Sequence, residues 1–285
     1  MKLENIQSSY TGKYVTIYCA KKSGKTFMND AQNQNAQNQI EQQSDLGGSI
    51  TLETRTRKQS EIYDAFEKFI FSEDIKILAK LVARTLIFEK IINVPGDIVE
   101  AGVYRGSGML TWLKLKKILC PNALKKVIGF DYFDTEALLN SLSGQDKASM
   151  KGLFEVRGYK HEEGAERFVN DLIANAGFDQ SSYDLIKGDI SQVAQEFVAK
   201  RPGFKISCLY LDLDLQHPTY NALSAFWDRV SVGGIVVFDE YAYHQWSEAQ
   251  GADRFFEEKN IQIQALHYPC PTAYVIKNPT IKAYT

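Results

Sequence analysis

From residue 60 onward, apolar positions recur three and four residues apart, which predicts helices over 61–71 and 73–92. In the second helix Ile75, Leu78, Leu81, Val82, Leu86 and Ile92 mark the expected buried face, and Pro95-Gly96 stops it. Past that point, short apolar runs alternate with helical stretches. Strands are expected at 97–101, 126–130, 184–187, 206–213 and 234–238, with helices around 107–118, 164–176, 190–199, 218–229 and 247–258. Such alternation implies right-handed crossovers and a buried parallel sheet. The runs at 261–267 and 273–277 are joined by a short Pro-containing turn with no helix between them, so they read as an antiparallel hairpin. The expected fold is α/β: a Rossmann-like, doubly wound, mostly parallel seven-stranded sheet ending in that hairpin.

Residues 1–59 follow another pattern. Aromatic and β-branched residues at 13–19 suit an isolated strand, whereas 29–43 is almost entirely Asn, Gln and Ala and reads as a solvated linker. The chain thus divides into an N-terminal arm, 1–59, and one domain, 60–285. A net charge of −2 gives no global field to gather nucleic acid, and no apolar stretch is long enough for a bilayer. The four cysteines are widely spaced with no zinc pattern, and Cys208 sits in an apolar run as a small hydrophobe. A reducing cytoplasm is the expected compartment.

Ligands of open α/β sheets bind outside the carboxyl ends of the strands, so the residues that close each strand carry the candidate chemistry. The first strand leads into Glu100-Ala101-Gly102-Val103-Tyr104-Arg105-Gly106-Ser107-Gly108. This is not the G-x-G-x-x-G of dinucleotide binding. An acid two residues before the first glycine suits the ammonium of an amino-acid ligand, and Glu100 supplies it; a plain tight turn explains the glycines alone. Asp131 closes the second strand at the usual place of a ribose-hydroxyl acceptor, or serves a turn. In Gly188-Asp189-Ile190 the acid can accept from an adenine amino group with Ile190 against the ring, or cap a helix. Asp212, Asp214, Asp239 and Glu240 crowd the ends of two central strands, an arrangement that is costly without a cation or a catalytic role. Oxygen ligands alone suit Mg²⁺ or Ca²⁺. The alternative is that Asp212 orders the glycine loop and Asp239 caps a helix.

Together the motifs VPGDIVEAGVYRGSG (94–108), VIGFDYFD (127–134), LIKGDI (185–190), YLDLDLQHPTYNAL (210–223) and GGIVVFDEY (233–241) resemble the macrocin O-methyltransferase (TylF-type) family. The resemblance implies a class I methyltransferase that moves a methyl group from S-adenosylmethionine to a sugar hydroxyl beside a divalent cation, often Mg²⁺. It places Glu100, Gly102 and Gly106 on the methionine side of the cofactor, Asp131 on the ribose and Asp189 on the adenine. Asp212, Asp239 and Glu240 fall on the metal. The chain departs from the family at Gln216, often a Tyr, and at Glu136-Ala137-Leu138, often Gly-Phe-Pro, which points to a changed acceptor pocket. The insert at 140–164 and the arm are the candidate lids.

Asp214, and after it His244, are the candidate proton acceptors, with Asp212 beside them; Trp246 is a candidate to stack on a sugar. The expected partner is a small, sugar-containing acceptor, with no nucleic acid and no membrane, and a homo-oligomer remains open. Rival readings are an N-methyltransferase or another small-molecule O-methyltransferase, an NAD-dependent oxidoreductase, and a non-catalytic S-adenosylmethionine-binding partner protein.

Overall fold

A computed structural model describes residues 52–158, 160–162 and 164–279. The expected strand at 13–19 and linker at 29–43 lie outside the described residues. The chain forms two compact units, one ending at Ser72 and one beginning at Glu73. Among its described residues, the first contains helix α1, Leu52–Ile70.

The second unit is built on a seven-stranded sheet. Its elements run α2 (Lys76–Ile91), β1 (Asp97–Ala101), α3 (Ser107–Leu119), β2 (Val127–Asp131), α4 (Thr135–Ser141), α5 (Gly144–Arg157), α6 (Ala165–Asn175), β3 (Tyr183–Lys187), α7 (Ile190–Ala199), β4 (Ile206–Leu211), α8 (Gln216–Phe226), β5 (Val230–Phe238), α9 (Glu248–Glu257), β6 (Gln264–Ala265) and β7 (Ala273–Ile276). The sheet order is β3-β2-β1-β4-β5-β7-β6, with β1 to β5 parallel and β7 antiparallel to β5 and β6. This is the doubly wound, mostly parallel arrangement with a terminal hairpin that the pattern predicts. Strand β6 is shorter than the expected 261–267, since only two residues of this exposed edge pair with β7. Strand β5 is longer than expected because Val230 already pairs with Ile206 ahead of the main register.

Side chains alternate across the strands and fill two cores. Val99, Ala101, Leu209, Leu211, Val236 and Phe238 face helices α7, α8 and α9. Ile98, Cys208, Tyr210, Ile235 and Val237 face α2, α3 and α6. Helix α2 turns a different side to the sheet from the one expected. Ala79, Ala83, Arg84, Ile87, Phe88 and Ile91 are buried, while Ile75, Leu78, Leu81, Val82 and Leu86 are exposed. No helix among the described residues is long and apolar enough to cross a membrane.

Candidate functional site

The sheet register lines up the residues that close each strand. The Gly102 amide donates to the Phe130 carbonyl at 2.8 Å, Gly188 to Asp131 at 2.9 Å, Asp212 to Ala101 at 2.8 Å and Asp239 to Leu211 at 2.9 Å. Gly102, Asp131, Gly188, Asp212 and Asp239 therefore form one row along the carboxyl edge. Its centre is the point between β1 and β4 where the strand order reverses, the usual ligand crevice of such sheets.

On the β1–β3 side, Asp131 organises the glycine turn. Its Oδ2 accepts from the amides of Val103 at 2.9 Å and Tyr104 at 2.8 Å, and its Oδ1 from Phe133 at 2.8 Å. His161 Nδ1 lies 3.4 Å from Oδ1, and its Nε2 is 2.7 Å from the Tyr104 carbonyl. Burial works against the Asp131 charge, but His161 and the amides outweigh it and hold its pKa below the ordinary carboxylate value. Gly102 sits at φ +92°, and a Cβ there would lie 1.9 Å from the Asp212 carbonyl oxygen, so only glycine lets β1 and β4 leave the sheet this close together. Gly108, in the first turn of α3, leaves room for the Glu100 carboxylate, whose Oε1 would be 1.9 Å from an added Cβ. Val103 is buried, Tyr104 half-buried, Gly106 precedes α3, and Arg105 and Ser107 are exposed. Asp189 caps α7, accepting from the Ser191 amide at 2.9 Å. Ile190, expected against an adenine ring, is instead packed into the core beneath the sheet, because it opens α7 on its inward side.

Glu100 is buried and already has a cationic neighbour, Arg84 Nη2 at 3.0 Å. Burial, only partly offset by Arg84, pushes its pKa up to about 7. Its Oε2 has no hydrogen-bond partner, the kind of orphaned acceptor that a ligand ammonium would satisfy.

The β4–β5 side is acidic, and α2 lies along it. Three basic residues one helical turn apart meet the acids in sequence. Lys76 Nζ is 2.7 Å from Glu240 Oε1. Lys80 Nζ bridges Asp239 Oδ2 at 2.6 Å and Asp212 Oδ2 at 3.3 Å, and Arg84 reaches Glu100. Asp239 also accepts from the Tyr210 hydroxyl and, at 2.9 Å, from the Cys270 thiol. Burial opposes its charge, yet Lys80, Cys270 and Tyr210 hold its pKa low. Burial, and after it the charge of Asp239, push the Asp212 carboxyl up to about 6. Asp214, at φ +62°, is held well above the ordinary range by burial and by Asp212, Glu240 and Asp239. Beneath them Glu248, fully buried, accepts from the Glu240 amide at 2.9 Å and is likewise raised, first by burial and then by Asp214.

These hydrogen bonds bear on the expected divalent cation. An ion coordinating at about 2.0–2.1 Å needs oxygens with free lone pairs facing one point. Here a lysine ammonium group stands on one carboxylate oxygen of each of Asp212, Asp239 and Glu240. The group that does share one point is Asp239, Glu240 and Cys270. There the Cys270 thiol donates to Asp239 Oδ2 at 2.9 Å, and sulfur is a soft ligand that a hard, oxygen-seeking cation does not favour. As arranged, these residues do not fit a hard divalent cation.

His244 is exposed on the turn after β5, with no hydrogen bond or ion pair to the described residues. Trp246, partly buried, packs against the cluster of Met150, Phe154 and Leu215, which ties the insert to the carboxyl edge of the sheet. Asp146 of α5 accepts from Ser247 Oγ at 2.9 Å, a second tie between the insert and the β5 end. Lys76, Lys80, Arg84, His161 and Glu248 escaped the strand-end reading, since none follows a strand. The four-residue spacing of the three basic residues inside an apolar helix was the available signal.

The model of the Macrocin-O-methyltransferase (TylF) family matches residues 28–268. Demethyldecarbamoylnovobiocin O-methyltransferase of Streptomyces niveus is 28% identical over 156 residues, 52% of this chain and 54% of that protein. The chain thus spans about half the length of that curated relative. Among solved structures, the calicheamicin methyltransferase CalS11 superposes with a TM-score of 0.60 at 19% identity, covering 90% of this chain and 99% of that one. The O-methyltransferase NovP gives a TM-score of 0.57 at 20% identity, covering 70% and 80%. The two structural likenesses speak to the fold.

Proposed function

Because this chain belongs to the macrocin O-methyltransferase (TylF) family, we propose that it transfers a methyl group from S-adenosylmethionine to a hydroxyl of a small, sugar-containing acceptor. The observation that carries this reading is the single row of strand-end residues, with Asp131 and Asp189 on one side of the Gly102 turn and Asp212, Asp214 and Asp239 on the other. The first side suits an adenosyl group, with Asp131 toward the ribose, Asp189 toward the adenine and the orphaned Glu100 oxygen toward the ammonium. Gly102, Val103, Tyr104, Arg105, Gly106, Ser107 and Gly188 form the walls or supports of that side, with Ile190 in the core below.

The bound cofactor supplies an electrophilic methyl on a sulfonium. The chain's own residues align an acceptor oxygen with it and remove the hydroxyl proton, and alignment carries much of the rate. Asp214 takes the proton in this reading: among the described residues no lysine stands on its carboxylate, in contrast to Asp212, Asp239 and Glu240 beside it. His244, exposed on the neighbouring turn, is the second candidate. A Mg²⁺ ion at Asp212, Asp239 and Glu240 would neutralise the acids and polarise the acceptor. One oxygen of each of these acids is already engaged by a lysine.

The test is mass spectrometry of nucleotide-linked sugars and glycosylated small molecules after incubation with S-adenosylmethionine, with calorimetry of S-adenosylhomocysteine binding in parallel. Gain of one methyl on a sugar oxygen is the expected result. Methylation of an amine would move the reading to the N-methyltransferase alternative, and tight binding without turnover on any acceptor to the non-catalytic one. No binding of S-adenosylhomocysteine would overturn the reading.

A further inference from the structure

We infer that the ammonium of Lys80 takes the place of the divalent cation at the β4–β5 end, so that this enzyme works without a bound metal. The inference rests on the methyl-transfer reading but is carried by a separate observation, the bridging of Asp212 and Asp239 by one side chain from α2. Those two acids adjoin in the sheet register, since the Asp212 amide bonds to Ala101 and the Asp239 amide to Leu211. A charge placed between their Oδ2 atoms therefore sits at the mouth of the β1–β4 crevice.

Lysine and a hard cation would do part of the same work there. Each neutralises the paired carboxylates, and each presents positive charge to an acceptor oxygen. An ammonium has three donor protons. Asp239 at 2.6 Å and Asp212 at 3.3 Å account for two, and the side chain remains 23% exposed, which leaves the third for a bound hydroxyl. Lys76 covers Glu240 in the same manner, and Tyr210 and Cys270 occupy the rest of Asp239. The acids that would have ligated an ion are thus already served by the chain.

In the transfer, the acceptor oxygen forms a bond to the methyl carbon while the carbon–sulfur bond breaks and its electron pair stays on sulfur. The hydroxyl proton passes to Asp214, and Lys80 keeps its protons, donating a hydrogen bond to the oxygen throughout.

Manganese, followed by electron paramagnetic resonance, is the probe, because its signal needs neither acceptor nor turnover. Wild-type protein should bind no Mn²⁺ at millimolar concentration, and its turnover should be unchanged in excess chelator. Lys80→Ala opens the space between Asp212 and Asp239; it should acquire a Mn²⁺ site and lose about a hundredfold in kcat, the usual size for one preorganised donor. Lys80→Arg should retain part of the activity while binding no Mn²⁺. Stoichiometric Mn²⁺ on the wild type, or loss of its turnover on chelation, would overturn the inference. So would Lys80→Ala that folds, by circular dichroism, and turns over at the wild-type rate. Failure of the methyl-transfer reading would show separately, as absent S-adenosylhomocysteine binding with the Mn²⁺ results intact.

Discussion

Replacing Asp131 with Asn tests whether this carboxylate holds the glycine turn before any ligand arrives. The side chain accepts three backbone amides, at 2.9 Å from Val103 and 2.8 Å from Tyr104 and from Phe133. Asparagine keeps one acceptor oxygen. Placed toward Val103 and Tyr104, it leaves its NH₂ facing the Phe133 amide, donor against donor. A hydrogen bond to a charged group is worth about 1.5–3 kcal/mol and a neutral one about 0.5–1.5 kcal/mol. One bond removed and two weakened then come to roughly 3–5 kcal/mol, and the ion pair with His161 disappears as well. For a unit of this size each kcal/mol moves the melting temperature by about 2–4 °C, so a fall of roughly 10 °C is expected. Scanning calorimetry at neutral pH without cofactor measures it. A melting temperature within about 3 °C of wild type would mean that the carboxylate does not hold the turn, whatever it does for a ribose.

Two further predictions concern the same end of the sheet. The His161 pKa is raised, because Asp131 and the Tyr104 carbonyl outweigh the burial that works against its charge. Its contribution to stability is then fully present below about pH 6.5 and lost as pH rises through the folded value; that of Asp131, whose pKa is lowered, is lost only as pH falls below about 4. Melting curves across pH 5.5–8.5 should therefore fall above pH 6.5 for wild type and stay flatter for His161→Gln; parallel curves would remove the ion pair from the account. Gly102→Ala, with its Cβ 1.9 Å from a backbone oxygen at positive φ, should cost roughly 2–6 kcal/mol. Gly152→Ala, inside α5 with nothing within 4 Å, should instead gain about 0.5–1 kcal/mol, and chemical denaturation that ranked the two alike would refute the steric reading.

The strand-end row was legible because a parallel sheet repeats one local rule. An apolar run of about five residues ends where a glycine or acid appears, and register sets those ends side by side; Glu100, Asp131, Asp189, Asp212 and Asp239 all fall where that rule puts them. What such a rule cannot convey is which partner an acid meets. Lys80 and Asp212 are 132 residues apart, and His161 reaches Tyr104 across 57. Ile190 shows the same limit at short range. Its place beside Asp189 says that it lies near the edge, while the turn of α7 sends its side chain inward to Phe197 and Ala194.

Helix α2 shows why burial alone does not orient an element. Apolar residues surround most of it, and the side left exposed, with Leu78, Leu81, Val82 and Leu86, is no less apolar than the one buried, with Ala79, Ala83, Ile87, Phe88 and Ile91. At about 1.5–3 kcal/mol for each large side chain, turning the helix over would forfeit Ile87, Phe88 and Ile91 but regain much of that from the four residues now in solvent. The charged residues break the tie. Lys76, Lys80 and Arg84 share the inward side, opposite Glu240, Asp239 with Asp212, and Glu100. Rotating them away would strand Glu100 and Asp239 as buried, uncompensated charges, at about 3–5 kcal/mol for each broken pair. That exceeds any difference in apolar burial between the two sides. The acids that line the carboxyl edge of the sheet therefore also choose the face of the helix that packs beside them.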